Sequence, residues 1–307
     1  MTKRRAKGRA ISGIFLLDKP TGISSNGALQ IVKRLFNAQK AGHTGSLDPL
    51  ASGLLPICLG EATKMAAYLL DSDKRYHASI TLGITTTTGD SEGEVTAMRP
   101  VPPLDMAQIE RVLTQFVGEI SQTPPMHSAL KRNGQPLYKL AHQGIEIARE
   151  SRQITIHEII LQGYDSPRLE VEVFCSKGTY IRTLAEDIGV SLGCGAHVSG
   201  LRRTGVGCYG TSLPMGTIDD LHEVYEISGS TGLDKFLLPI ESALFAWPEL
   251  RVSPDMAFFL ARGEAVTVSR DICPGWVRIY KSDQRFLGVG CVTEESMLTP
   301  KRIVRME

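Results

Sequence analysis

The apolar and polar positions alternate most cleanly over residues 75–84. Tyr76, Ala78, Ile80, Leu82 and Ile84 fall on one face, with His77, Ser79 and Thr81 on the other, which predicts a half-buried strand. Leu169, Val171, Val173 and Cys175 alternate in the same way and predict a strand over 169–175, with another at 153–162. A short strand at 12–17 runs into the turn Asp18-Lys19-Pro20-Thr21-Gly22. Helical spacing follows: Ala28, Ile31, Val32 and Leu35 lie one turn apart, after Ser24 or Ser25, either of which can cap the helix. Ile109, Val112, Leu113, Phe116 and Val117 predict a helix over 105–117, and further helices are expected at 61–70 and from about Thr183. Residues 85–94, polar and glycine-bearing, read as a loop without an assigned role.

Two stretches depart from these periods. Residues 121–152 are basic, contain Pro124-Pro125 and show little periodicity outside 137–141, which suits a mobile functional insertion better than a plain connection. Beyond Pro239, Trp247 and Pro248, short strands are expected at 265–269, 276–280, 286–292 and 301–305, the pattern of a small β-rich module. The chain is therefore expected to divide into a basic arm at 1–11, a large α/β mixed domain at 12–248 and the β-rich module at 249–307.

Composition narrows the class. With 307 residues, 42% hydrophobic and 22% charged, the chain reads as a soluble globular protein with no membrane-length apolar run. The apolar run at 14–17 is too short for a signal peptide, so a cytoplasmic location is expected. Six cysteines at 58, 175, 194, 208, 273 and 291 form no Cys-x-x-Cys pair, so zinc spacing is absent and reduced core thiols are expected. The net charge of +1 is an average over unlike segments. Residues 121–145 hold no acid and include Lys131, Arg132 and Lys139; residues 188–218 hold no acid and include Arg202 and Arg203; residues 219–241 are acidic. Local basic surfaces of this kind suit a phosphate backbone.

The candidate chemistry centres on Gly42-His43-Thr44-Gly45-Ser46-Leu47-Asp48-Pro49-Leu50-Ala51-Ser52-Gly53, which puts one carboxylate, one imidazole and three glycines within twelve residues. Pro49 biases Asp48 toward extended backbone. Alone, the segment leaves two readings open: a tight turn whose aspartate caps backbone groups, or a loop that aims side chains at a ligand. No Gly-Lys-Ser/Thr closes it, and the chain has no His-Glu-x-x-His, no Gly-x-Ser-x-Gly and no deaminase cysteine pattern.

With Leu54-Leu55-Pro56 added, this segment resembles the catalytic motif of the TruB family of pseudouridine synthases. Three further blocks agree, in order: Asp73-Lys74-Arg75-Tyr76, then Ser176-Lys177-Gly178-Thr179-Tyr180-Ile181-Arg182-Thr183, and His197-Val198-Ser199-Gly200-Leu201-Arg202-Arg203. The likeness runs from about residue 12 to 300, with Ser46 and Ser52 as small departures. It implies a pseudouridine synthase fold: a central, mostly antiparallel sheet flanked by helices, a thumb insertion at 121–152 and a C-terminal PUA-like RNA-binding barrel. The implied reaction isomerises the uridine at position 55, in the T-loop of tRNA. It breaks the bond between ribose C1′ and uracil N1, turns the base and rejoins it through C5, with no cofactor and no metal.

The same resemblance assigns roles. Asp48 is the nucleophile and Arg182 its cationic partner; Tyr76 stacks on the target uracil and aids proton transfer; Tyr180 and Leu201 wall the uridine pocket. His43 contacts RNA and helps fill the space left by the flipped base. Lys19, Lys64, Lys131, Arg132 and Lys139 are candidate RNA-backbone contacts, and Tyr138 and His142 can stack or hydrogen-bond. Without the family, Arg182 reads as a structural salt bridge, Tyr76 and Leu201 as core, and Lys19 and Lys64 as surface lysines. The expected partner is the T-arm stem-loop of tRNA, with no membrane and no obligatory protein partner, and a monomer suffices. Two other readings stand beside this one: a guide-RNA-dependent relative inside a ribonucleoprotein, and a tRNA-folding module in which catalysis is secondary.

Overall fold

The computed structural model describes residues 8–305 other than 129, 133, 142 and 211. Strand β1 (Gly13–Lys19) is followed by helix α1 (Ser25–Leu35) and strands β2 (Ala41–His43) and β3 (Ser52–Leu59). Of the two candidate caps, Ser24 takes the role, accepting from the Gly27 amide at 3.0 Å. Helix α1 thereby turns Ala28, Leu29, Val32 and Leu35 inward. A 3₁₀ turn (Gly60–Lys64) and α2 (Ala66–Leu70) lead to the central strand β4 (Lys74–Leu82). Strands β5 (Ile84–Thr86) and β6 (Val95–Met98) then pair as a small hairpin.

Helix α3 (Met106–Thr114) opens with an Asp105–Gln108 capping box and leads to β7 (Gly118–Gln122). The insertion holds a two-plus-two-residue hairpin, β8 (Lys131–Arg132) and β9 (Gln135–Pro136), and a short helix α4 (Leu137–Ala141). Strands β10 (Arg152–Asp165) and β11 (Arg168–Cys175) return the chain to the sheet. Helix α5 (Ile181–Ser191), β12 (Ala196–Val206), β13 (Tyr209–Gly210) and α6 (Ile218–Gly232) complete the larger part. The C-terminal part comprises β14 (Glu249–Val252), α7 (Pro254–Ala261), β15 (Val266–Thr267), β16 (Gly275–Lys281), β17 (Phe286–Val292) and β18 (Met297–Ile303).

The main sheet runs in the order β1-β3-β12-β4-β11-β10-β7, and only the β3–β12 pair is parallel. This is the mixed α/β fold with a mostly antiparallel central sheet. Helices α3 and α5 cover Ala78, Ile80 and Leu82 of β4 and Leu169, Val171 and Val173 of β11, as the alternation requires. Register decides the site: Tyr76 lies opposite Arg203, and Leu201 opposite Ala78. Residues far apart in sequence are thus brought side by side in one sheet. The C-terminal strands form a separate five-stranded sheet, β14-β16-β17-β18-β15. Among the described residues, no helix is long and apolar enough to cross a membrane.

Several elements differ from their expected bounds. The helix expected at 61–70 is two short pieces, a 3₁₀ turn that ends at Lys64 and α2 from Ala66. The strand expected to include Ile84 breaks at Gly83, at φ +83°. The helix expected through 117 ends at Thr114, since Gly118, at φ +103°, redirects the chain into β7. Residues 85–94 are partly strand. Strand β12 has no counterpart among the expected elements, nor have α6, β14 and α7. The β12 sequence, AHVSGLRRTGV, lacks alternation because part of it faces the polar cleft described below.

Gly53, where β3 meets β12, has φ +97°, and an added Cβ would stand 2.3 Å from the Arg203 carbonyl oxygen. Gly53→Ala should cost about 2–4 kcal/mol through strain and overpacking. A fall in the urea midpoint at constant slope would register it; an unchanged midpoint would contradict this packing.

Candidate active site

The loop that carries Asp48 is pinned at every second or third residue. The Thr44 amide donates to the Pro56 carbonyl at 3.3 Å, and Gly22 donates to that of Pro49 at 2.8 Å. The Ser25 hydroxyl both accepts from the Leu47 amide at 2.7 Å and donates to its carbonyl at 2.9 Å. Arg203 reaches the Gly45 carbonyl at 3.1 Å with Nη2 and that of Leu54 at 2.8 Å with Nε. Satisfied polar groups of this number fix the backbone on both sides of Asp48. Of the two readings left open, the side-chain-presenting loop is the one formed.

Arg182, on the first turn of α5, meets that loop. Its Nη2 lies 3.1 Å from Asp48 Oδ2, and its Nη1 lies 3.4 Å from Asp90 Oδ2. Nη1 also donates to the Thr88 carbonyl at 2.8 Å, and Nη2 to the His127 carbonyl at 2.6 Å. Arg182 is 5% exposed, so these partners replace nearly all of its hydration. Asp90 is buried and held in turn by the Thr88 hydroxyl at 2.5 Å and the Glu92 amide at 3.1 Å. Asp48 keeps a side chain 44% exposed toward the cleft. Burial pushes its pKa above the ordinary carboxylate value, and the Arg182 charge opposes that rise.

A cavity of about 300 Å³ opens on this pair. Asp48, Tyr76, Tyr180, Arg182 and Leu201, drawn from four sequence blocks, all line it. Burial raises the pKa of Tyr76, and the Arg203 guanidinium against its hydroxyl opposes the shift. Tyr180 is held by its backbone: Gln122 of β7 accepts from its amide at 2.8 Å and donates to its carbonyl at 3.1 Å. Two buried cations complete the wall, Arg203 and Lys74. Lys74 donates to the carbonyls of Leu70, Leu69 and Ser72 at the end of α2, and burial lowers its pKa to about 8.

The other expected residues are placed less uniformly. His43 sits on β2 with its Nδ1 buried and without a hydrogen-bond partner among the described residues, and burial lowers its pKa. It does not line the cavity. Lys19 corrects the expectation of a phosphate contact: it is fully buried and donates to the carbonyls of Pro20 and Ile23 at 2.8 and 2.7 Å. Burial lowers its pKa to about 8, while the Asp48 charge opposes the fall. Lys64 is engaged with Glu61 at 2.5 Å and the Ile303 carbonyl at 2.7 Å, tying the larger part to the C-terminal strand. Lys139 is exposed on α4. The side chains of Lys131 and Arg132 and the whole of His142 lie outside the described residues, as does most of the basic arm. Arg9 of that arm pairs with Asp234 at 2.5 Å.

Three contributors lie outside the motif blocks, and a fourth, Arg203, ends one of them without an assigned role. Asp90 and Thr88 belong to a threonine-rich run with no assigned role, and Gln122 and Arg203 hold the backbone around the cleft. The available signal is chemical. A lone aspartate after Thr-Gly, and two adjacent arginines in an apolar-flanked stretch, must find partners if buried.

Comparison with known proteins gives the family. A model of the TruB family pseudouridylate synthase N-terminal domain matches residues 33–181. One of the tRNA pseudouridylate synthase B C-terminal domain matches 182–245, and one of the pseudouridine synthase II TruB C-terminal region matches 248–304. The tRNA pseudouridine synthase B of Nitrosococcus oceani is 52% identical over 98% of this chain and 97% of its own length. That of Pseudomonas aeruginosa is 49% identical over 97% of each. A chain from the crystal structure of a Cbf5-Nop10-Gar1 complex superposes with a TM-score of 0.73 at 26% identity, covering 95% of this chain and 84% of that one.

Asp90 shares Arg182 with Asp48, and its negative charge raises the Asp48 pKa. In Asp90→Asn the Asp48 pKa should therefore fall. A carbon-13 NMR titration of the Asp48 carboxyl reads this directly, and a rise would refute the shared-cation geometry.

Proposed function

The chain belongs to the TruB family of pseudouridine synthases, and from that premise we propose that it isomerises uridine 55, in the T-loop of tRNA, to pseudouridine. The observation that carries the reading is the meeting of Asp48 Oδ2 and Arg182 Nη2 at 3.1 Å inside a cavity also lined by Tyr76, Tyr180 and Leu201. Asp48 is the nucleophile. Arg182 favours its ionised form against the burial that would protonate it. Tyr76 stacks on the extruded uracil, and such stacking, about 1–3 kcal/mol per base, offsets part of the cost of flipping. Tyr180 and Leu201 flank the base. The C1′–N1 bond breaks, the base turns within the cavity, and C5 takes the place of N1.

His43, on the loop's leading strand, contacts the RNA outside this cavity. The insertion at 121–152 grips the T-arm through Lys131, Arg132 and Lys139. The chain divides at about residue 248, and its C-terminal five-stranded part is a PUA-like RNA-binding module. The enzyme works in the cytoplasm, as a monomer without an obligatory protein partner. Relatives near half identity over almost the whole chain favour this reading over the guide-dependent one, whose structural relative stands at 26%.

Asp48→Asn should lower pseudouridine formation on a T-loop hairpin by ~10⁴-fold or more, the scale of a lost nucleophile, with hairpin affinity within a few-fold. Mapping of the modified position in total tRNA from a deficient strain tests both activity and site. Turnover near the parent level in that variant would overturn the mechanism. The Asp48 pKa lies above the ordinary 3.8, and its anion must attack, so the rate should fall as pH drops through that raised value. Arg182→Gln removes the opposing cation, so the acid limb of its residual single-turnover rate should move to higher pH.

A further inference from the structure

Ser128 lies at the root of the insertion and lines the same cavity as Asp48. It is 4% exposed, and its Oγ has no hydrogen-bond partner among the described residues. It stands close enough to the Tyr180 hydroxyl to oppose the upward pKa shift that burial imposes there, but the two do not meet hydrogen-bond geometry. Buried hydroxyls are ordinarily satisfied, so one left open in a cavity points to a ligand atom. Its backbone is not free to drift. The Ser128 carbonyl accepts from the Tyr138 amide at 3.1 Å, its amide donates to the Met126 carbonyl at 2.9 Å, and the carbonyl of neighbouring His127 accepts from Arg182. The backbone that carries the hydroxyl is therefore held relative to the Asp48–Arg182 pair.

We propose that the Ser128 hydroxyl donates a hydrogen bond to a carbonyl oxygen of the target uracil, and that the same donor serves the base before and after it turns. This rests on the pseudouridine synthase reading. The reaction exchanges N1 for C5, which is a half-turn about the axis through N3 and C6. That half-turn also exchanges O2 and O4. One fixed donor thus meets a carbonyl oxygen in both orientations: the bond to the first oxygen breaks as the base turns, and one to the second replaces it. Cytosine carries an amino group in place of O4, so its half-turn would present a donor where uracil presents an acceptor. A hydroxyl can rotate to meet either, so Ser128 acts as an anchor, with base discrimination left to other groups.

The test compares single-turnover rates on T-loop hairpins that carry uridine, 2-thiouridine or 4-thiouridine at the target position. Sulfur accepts a hydrogen bond poorly, and its intrinsic effect on the chemistry cancels in the ratio of parent to variant. Ser128→Ala should slow the uridine hairpin by about tenfold, the size of one neutral hydrogen bond. On at least one thio hairpin the loss should shrink to under about twofold. Where a thio base is not turned over, equilibrium binding of the same hairpins in the Asp48→Asn background gives the same ratio. Ser128→Cys, a near-isostere with a weak donor, should fall between, and it carries the test if the alanine variant melts early. No loss on uridine, or an equal loss on all three hairpins, overturns the anchor. An inactive Asp48→Asn beside a fully active Ser128→Ala would remove this inference and leave the proposed function standing.

Discussion

A guanidinium buried to 5% exposure cannot be left without partners, and the cleft is built around meeting that requirement for Arg182. From its position on α5 its donors reach three places in the chain: the Asp48 loop, the Thr88 and Asp90 turn, and the His127 carbonyl at the root of the insertion. Removing any one leaves charge or backbone dipole uncompensated around a buried guanidinium. The loop, the turn and the insertion are thus coupled through a single side chain.

Arg182 is one of four buried cations here. Lys19, Lys74 and Arg203 are each 7% exposed or less, and each donates to backbone carbonyls, as Arg182 also does. Carbonyl dipoles solvate these charges without cancelling them. Carboxylates stand against them: buried Asp90, half-exposed Asp48 and, on the next turn of α5, Glu186, which also feels the Arg182 charge. Arg182 and Lys19 draw the Asp48 pKa down against the rise that burial imposes. The same arrangement explains why Lys19 is no phosphate contact: its charge acts through the field from inside the wall.

The strands and helices that alternate cleanly are legible in the amino-acid pattern alone. Strands β4 and β11 each bury one face against helices, so sequence period and burial coincide. Strand β12 is not legible, because it is central yet carries Arg202, Arg203 and Ser199, and its residues serve the cleft as well as the core. Element ends escape the pattern where a glycine at positive φ, Gly83 or Gly118, redirects the chain while the apolar period continues. Among site residues, Asp48, Tyr76, Tyr180, Arg182 and Leu201 stand out in motifs and share one cavity. Asp90, Gln122 and Ser128 do not stand out, and Arg203 stands in a motif without a role, since these residues act by holding backbone or filling a wall, and such roles have no local pattern.

By itself the sequence determined the periods of the core elements and, through four ordered blocks, the family and the identity of the central carboxylate. These are local properties: side-chain type at a spacing set by the strand or helix. The tertiary structure alone decided which cations surround that carboxylate, which lysines are buried, and which hydroxyl in the cavity is left open. Those outcomes depend on register between strands more than one hundred residues apart, as with Tyr76 opposite Arg203. No short segment can carry that information, because a one-residue slip would send each side chain to the other face of the sheet.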